Sequence, residues 1–285
     1  MVVHGGPTVR RRRLAAELRR LRESADVSWE QAISELDFSR SKLSRIETAR
    51  SGVTVNDTRA MCGLYGVVGS ELENLLELAK QAKKKGWWHP YSRVMSDWFE
   101  VYIGLESEAA AVRNFEIDLI PGLLQTEQYA RAIIGSWAPD EPDHDNEQRT
   151  QLRKARQARL TEGAEPLKFW AIISEAAIRQ QVGGADVMRE QLKHLLSRSK
   201  LPNVTVQVLP FQAGAHASLG TGFSILSFPD PVDPDVVYLE YLTGSLYLEE
   251  AEEIERYTLN FDHLRATALD PRDSAKLLGK VARET

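Results

Sequence analysis

The stretch SWEQAISELDFSRSKLSRIETARS, Ser28 to Ser51, decides how the chain is read. Trp29, Ala32, Ile33 and Leu36 stand at i, i+3, i+4 and i+7, the spacing that lays one apolar stripe along a helix. Ser28, just ahead of them, is a residue type that caps free backbone N–H groups. Asp37 and Phe38 make a tight connection, and Ser39 caps a further helix that turns Leu43 and Ile46 inward and Arg40, Ser41, Ser44 and Arg45 outward. Two short helices joined by a turn of three to four residues, the second with Arg and Ser near its start, match the geometry that seats a helix in the DNA major groove. Arginine grips guanine O6 and N7 bidentately, whereas serine reads bases less selectively. Trp29, Lys42 and Arg50 complete the candidate DNA-contacting set. The same residue types would also suit an ordinary solvated helix face.

Flanking segments supply the rest of a helical bundle. Leu14, Leu18 and Leu21 recur at helical spacing within Val9 to Glu23, with arginines on the other faces. Thr54 with Asp57 makes a capping-box-like start for a fourth helix through Met61, Leu64 and Tyr65. Ser70 with Glu73 repeats the device for a fifth, carrying Leu72, Leu75, Leu76 and Ala79. The expectation is an all-α, five-helix bundle over residues 8–80, with Cys62 as a small core residue.

Charge is divided unevenly. Residues 1–60 sum to +4 and the remainder to −9, within an overall −5. A basic head on an acidic body suits a nucleic-acid reader, because phosphate neutralisation supplies most non-specific affinity. At 285 residues, 42% hydrophobic and 27% charged, the chain fits two folded domains. The basic start lacks the apolar core of a signal peptide, and nowhere does an apolar run approach the ~18 residues of a membrane span. A lone cysteine forms no intrachain disulfide and no all-cysteine metal site. A cytoplasmic protein without membrane attachment is expected.

Residues 81–86 read as a linker, ending in Lys83, Lys84, Lys85 and Gly86 before the aromatic cluster Trp87, Trp88, His89, Pro90 and Tyr91. Beyond it, residues 87–282 read as an α+β sensor and dimerisation domain. Strands are expected over Arg113–Ile120, Leu167–Ile173, Val204–Leu209, Phe223–Phe228 and Val236–Tyr241. Helices are expected over Val94–Ala111, Gln125–Gly135, Glu147–Leu160, Ala185–Ser199, Glu249–Leu264 and Pro271–Ala282. Late strands joined by turns such as Pro229–Pro234 favour a mostly antiparallel sheet, so the whole chain is α+β. Trp87, Trp88, Tyr129, Arg131 and His216 are candidate ligand or partner residues, although packing at a seam, a buried network or a plain loop histidine would account for them too. The acidic run Glu249, Glu250, Glu252, Glu253 and Glu255 suits a helix start better than a metal site. No Walker loop, GxSxG elbow, HExxH or metal-ligand cluster is found, so no catalysis, metal or cofactor is expected.

FSRSKLSRIETARS, Phe38 to Ser51, resembles the recognition-helix segment of XRE-type (Cro/repressor-like) helix-turn-helix proteins. The resemblance implies base or phosphate contacts from Arg40, Ser41, Ser44 and Arg45, and a pairing of Arg22 with Glu47 that braces the first helix against the third. Asp26, Asp37 and Ala49 stand where such proteins usually carry glycine. If these positions need positive φ, Asp tolerates it better than most residues, whereas Ala loses roughly 1 kcal/mol or more. WWHPYS, LESEAAAVRNFEIDLIPGLLQTEQYARAII, GGADVMREQLKHLL and PNVTVQVLPFQAGAH resemble a domain of unknown function from actinobacterial regulators, WhiJ-like and antitoxin-like ones among them, over nearly all of 87–282. That resemblance implies a small partner protein encoded nearby. The combined expectation is a homodimeric repressor on an inverted-repeat operator in double-stranded DNA, controlled through its C-terminal domain by a small protein or ligand. The alternative is an antitoxin-like interaction module with a degenerate helix-turn-helix.

Overall fold

The computed structural model describes residues 9–83, 86–137, 139, 142–231 and 233–285. Met1–Thr8, Lys84, Lys85 and Val232, read above as parts of the basic head, the bundle's first residue, the linker and a turn, lie outside the described residues. Two compact units emerge. One holds the described residues up to Ser92 together with Ser96–Glu108; the other holds Arg93–Met95 and Ala109–Thr285. The change in composition near residue 86 therefore falls inside the first unit.

In the first unit α1 (Val9–Ser24), α2 (Trp29–Leu36), α3 (Arg40–Glu47), α4 (Val55–Leu64) and α5 (Gly69–Ala82) make a five-helix bundle. Leu14 and Leu18 of α1, Leu43 and Ile46 of α3, Met61 and Cys62 of α4 and Leu75 and Ala79 of α5 meet in one core. Each fully buried leucine contributes about 2 kcal/mol by leaving water. Ser28 and Gln31 close a reciprocal capping box: Ser28 Oγ accepts from Gln31 N at 3.2 Å, and Gln31 Oε1 accepts from Ser28 N at 2.8 Å. Ser39 and Thr54 cap α3 and α4 by accepting from Lys42 N and Asp57 N. The cap expected at Ser70 is not formed, because Gly69, at φ 65°, turns the chain into α5 one residue early and leaves Ser70 inside the first turn. Instead of one long helix over Val94–Ala111, a 3-10 segment spans His89–Val94 and α6 runs from Asp97 to Glu108.

The second unit is built on β1 (Ala111–Glu116), α7 (Glu127–Trp137), α8 (Asp143–Arg156), β2 (Lys168–Ser174), α9 (Glu175–Arg179), α10 (Ala185–Arg198), β3 (Val204–Leu209), β4 (Phe223–Ser227), β5 (Val236–Tyr241), β6 (Gly244–Leu248), α11 (Ala251–Thr267) and α12 (Pro271–Glu284). The six strands form one sheet in the order β3-β2-β1-β4-β5-β6. Pairs β1–β2 and β2–β3 are parallel, and β1–β4, β4–β5 and β5–β6 are antiparallel. The sheet is thus mixed: three of its five pairs are antiparallel, in keeping with the expected mostly antiparallel sheet, and the two parallel pairs depart from that expectation. Parallel neighbours need a crossover, and α7 with α8, then α9 with α10, supply the two crossovers. Phe115, Ile172, Phe223, Ile225, Val237 and Leu239 line one sheet face against Phe261 and Leu264 of α11. Among the described residues no helix is long and apolar enough to cross a membrane.

Candidate nucleic-acid interface

The turn between α2 and α3 is three residues long, Asp37 to Ser39. Asp37 adopts a left-handed conformation, φ 52° and ψ 42°, and Phe38 N closes back on Ile33 O at 3.1 Å. Asp26 and Ala49 are left-handed as well, at φ 52° and 56°. These are the three positions at which glycine was missed in the sequence, so each does require the conformation that glycine adopts without strain. Asp tolerates it through its short polar side chain; Ala49 holds it while buried.

Buried Leu43 and Ile46 fix the inward face of α3, which leaves Arg40, Ser41 and Arg45 exposed and Ser44 half-buried. Trp29 of α2, with Arg40, Ser41 and Ser44 of α3, lines an open groove of about 430 Å³. Arg50 is exposed just beyond α3. Lys42 is drawn away from that surface: its Nζ lies 3.1 Å from Asp57 Oδ1 and 3.5 Å above the Phe38 ring, tying α3 to α4.

Beneath the surface, Arg22 and Glu47 form a bidentate ion pair, Nε to Oε1 at 2.7 Å and Nη2 to Oε2 at 3.0 Å, with both residues buried. Arg22 Nη1 also donates to Val27 O at 3.2 Å, and the guanidinium lies 5.6 Å from the centre of the Trp29 ring. The hydrogen bond to Glu47 raises the Arg22 pKa above its ordinary value. This pair joins α1 to α3 and sits beside Trp29, so it positions the groove wall. Cys62 is buried, and burial pushes its thiol up to about 11, as befits a core residue.

The candidate ligand residues are divided between the two units. Trp87 and Trp88, in the first unit, stack edge to face at 5.9 Å, and Gly86 lies so close to the Trp88 ring that a Cβ there would come within 2.3 Å of it. Tyr129 is fully buried and its hydroxyl accepts from Ile120 N at 3.2 Å. Arg131 is a surface residue paired with Glu127 and Glu147. His216 meets the Phe115 ring edge to face at 5.6 Å, and burial lowers its pKa.

A polar cluster that the sequence reading missed lies on the sheet face away from α11. Asn114 Nδ2 donates to Glu116 Oε1 at 3.1 Å and to Ser224 Oγ at 3.0 Å, and Arg153 Nη1 donates to Gln125 Oε1 at 2.7 Å. Desolvation pushes the Glu116 carboxyl up to about 7, with Glu240 and Asp118 adding repulsion and Asn114 and Arg153 opposing it. Desolvation likewise holds Arg153 down at about 10. Alternation along β1 could have placed Asn114 and Glu116 on one face; nothing local could bring Arg153, on α8, beside them.

A family model described as Helix-turn-helix domain matches residues 13–75, and one described as Domain of unknown function (DUF5753) matches residues 99–280. No curated protein and no solved structure matches the chain. The second match spans more than half of the 285 residues, and with the helix-turn-helix geometry ahead of it, the chain belongs to the DUF5753 family and carries an N-terminal helix-turn-helix domain.

Proposed function

We propose that this protein is a sequence-specific DNA-binding transcriptional regulator that acts as a repressor. The observation that carries the reading is the α3 surface: Arg40, Ser41 and Arg45 exposed on a helix that a three-residue turn sets against α2, next to the Trp29 groove. Arg40 and Arg45 are donors for guanine edges or phosphates, Ser41 and Ser44 short-range polar contacts, and Arg50 a phosphate contact. The protein works as a cytoplasmic homodimer on an inverted repeat with half-sites about 34 Å apart. Its C-terminal domain receives a small protein partner or ligand that alters the spacing of the two readers.

The left-handed residues support this reading over the antitoxin-like alternative. Replacing glycine by Asp26, Asp37 and Ala49 has left the turns in the backbone conformation the motif needs. The test is binding of the purified chain to its own promoter DNA across a salt series, beside Arg40→Ala/Arg45→Ala. Selective binding lost in the double variant supports the regulator; binding indifferent to both arginines moves the N-terminal module to a protein-interaction role.

A further inference from the structure

The sheet face away from α11 carries a polar patch built across several strands. Asn114 of β1 pairs with Ser224 of β4, and Ser224 with Tyr238 of β5, so these side chains form one row. Two residues further along, the same register sets Glu116 beside Gly222 and Gly222 beside Glu240, which in turn pairs with Ser245 of β6. A Cβ on Gly222 would come within 2.9 Å of Phe115 O and 3.3 Å of Glu116 Oε2, so glycine suits the position and no side chain stands in the row between the two carboxylates. Glu116 is half-buried and Glu240 exposed, which opens the row to solvent at its β5 end.

The groups of this patch are held in place yet incompletely satisfied. Asn114 is only 5% exposed, and its Nδ2 donates to Glu116 Oε1 at 3.1 Å and to Ser224 Oγ at 3.0 Å, while its Oδ1 is buried without a donor. Ser245 Oγ, beside Glu240, is buried without a partner as well. Native proteins leave few such atoms, and each calls for an explanation. Half-buried Arg153 of α8 donates to Gln125 Oε1 at 2.7 Å, and Gln125 is itself pinned by donating to Ile120 O at 2.7 Å. The charges of Glu116 and Glu240 act on Arg153, yet among the described residues no ion pair joins it to either. Burial holds a proton on Glu116 and weakens the hold of Arg153 on its own, the behaviour of two groups to which the protein brings no counter-charge at contact distance.

We propose that this patch binds a small zwitterion the size of a free amino acid, with its ammonium group over Gly222 between Glu116 and Glu240 and its carboxylate on Arg153. An ammonium group carries three donors and no acceptor. It therefore matches Asn114 Oδ1 and the carboxylates of Glu116 and Glu240, which are acceptors. A guanidinium offers a carboxylate two parallel donors in a planar fork. A purely anionic ligand would be repelled by the two glutamates, and a purely cationic one would leave Arg153 without a counter-charge. The proposal gives the ligand-controlled reading of the C-terminal domain its site and its chemistry, and it rests on that reading for any consequence at DNA.

The test is isothermal titration calorimetry of the full chain, without DNA, against the standard free amino acids one at a time. At least one is expected to bind with a Kd between micromolar and low millimolar. Its N-trimethyl derivative keeps the positive charge but loses the N–H donors, and its carboxamide loses the negative charge; each is expected to bind about 10-fold or more weakly, as the loss of a charge-assisted hydrogen bond implies. Glu116→Gln and Arg153→Gln are expected to weaken binding by a similar factor with unchanged circular dichroism. The ligand derivatives probe the same contacts on the unaltered chain, so the test does not depend on either variant folding. No binding across the panel, or derivatives that bind as tightly as the parent amino acid, overturns the proposal. Affinity for promoter DNA with and without the amino acid, measured separately, reports on control of the DNA reader, so the site and the regulator reading fail independently.

Discussion

Ala49 carries strain that its neighbours Asp26 and Asp37 escape. All three sit at φ between 52° and 56°, but only Asp has a side chain suited to the left-handed region, and Ala49 is also buried. A β-branched residue there clashes with its own backbone, so Ala49→Val is expected to lower stability by about 2 kcal/mol or more, while Ala49→Gly stays within about 1 kcal/mol of wild type; thermal melts of the two variants check this. The Arg22–Glu47 pair is sensitive for a different reason. Glu47→Ala leaves a buried guanidinium uncompensated, at a cost of about 3–5 kcal/mol, and the helical unit should melt at least 10 °C lower. Glu116 is a pH-sensitive residue of the second unit. Its folded pKa, about 7, lies above the ordinary 4.5, so the folded state binds the extra proton between those values. The stability this proton confers is full below pH 4.5 and is lost as pH rises to 7, on the order of 3 kcal/mol in all. Glu116→Gln should therefore melt higher than wild type at pH 8 and no higher at pH 4.5. A higher wild-type midpoint at pH 8 would contradict the assignment.

At the scale of elements, what the sequence disclosed follows the range of the interactions. The helices of the first unit were legible because caps and apolar stripes are local: Ser28, Ser39 and Thr54 cap where the residue types indicated, and Val204–Leu209 and Val236–Tyr241 are strands with the expected bounds. Ser70 misled because Gly69 starts the helix first, a backbone event that the capping pattern does not encode. β6 was missed because its five residues precede an acidic helix start, and only pairing with β5 makes them a strand. The mixed order of the sheet was equally hidden, since crossover direction is decided by how α7 to α10 pack. In the candidate site, α3 was read residue by residue, yet Lys42 turns toward Asp57, a partner fifteen positions away on another helix. The Asn114, Glu116 and Arg153 cluster joins a strand to a helix across 39 residues of chain and carries no local signal.

On the scale of the molecule, a basic helical reader and an acidic α+β unit divide the work. The +4 balance of residues 1–60 suits a salt-dependent attraction for DNA. The central claim concerns the α3 surface, and equilibrium binding of the full chain to its promoter DNA between about 50 and 200 mM salt, with Arg40→Ala/Arg45→Ala alongside, tests it most directly. The account predicts selective binding that weakens steeply with salt, and a double variant with selectivity lost and a slope shallower by about one to two, as expected if each arginine neutralises a phosphate. Selective binding with the same affinity and slope in the double variant would contradict it.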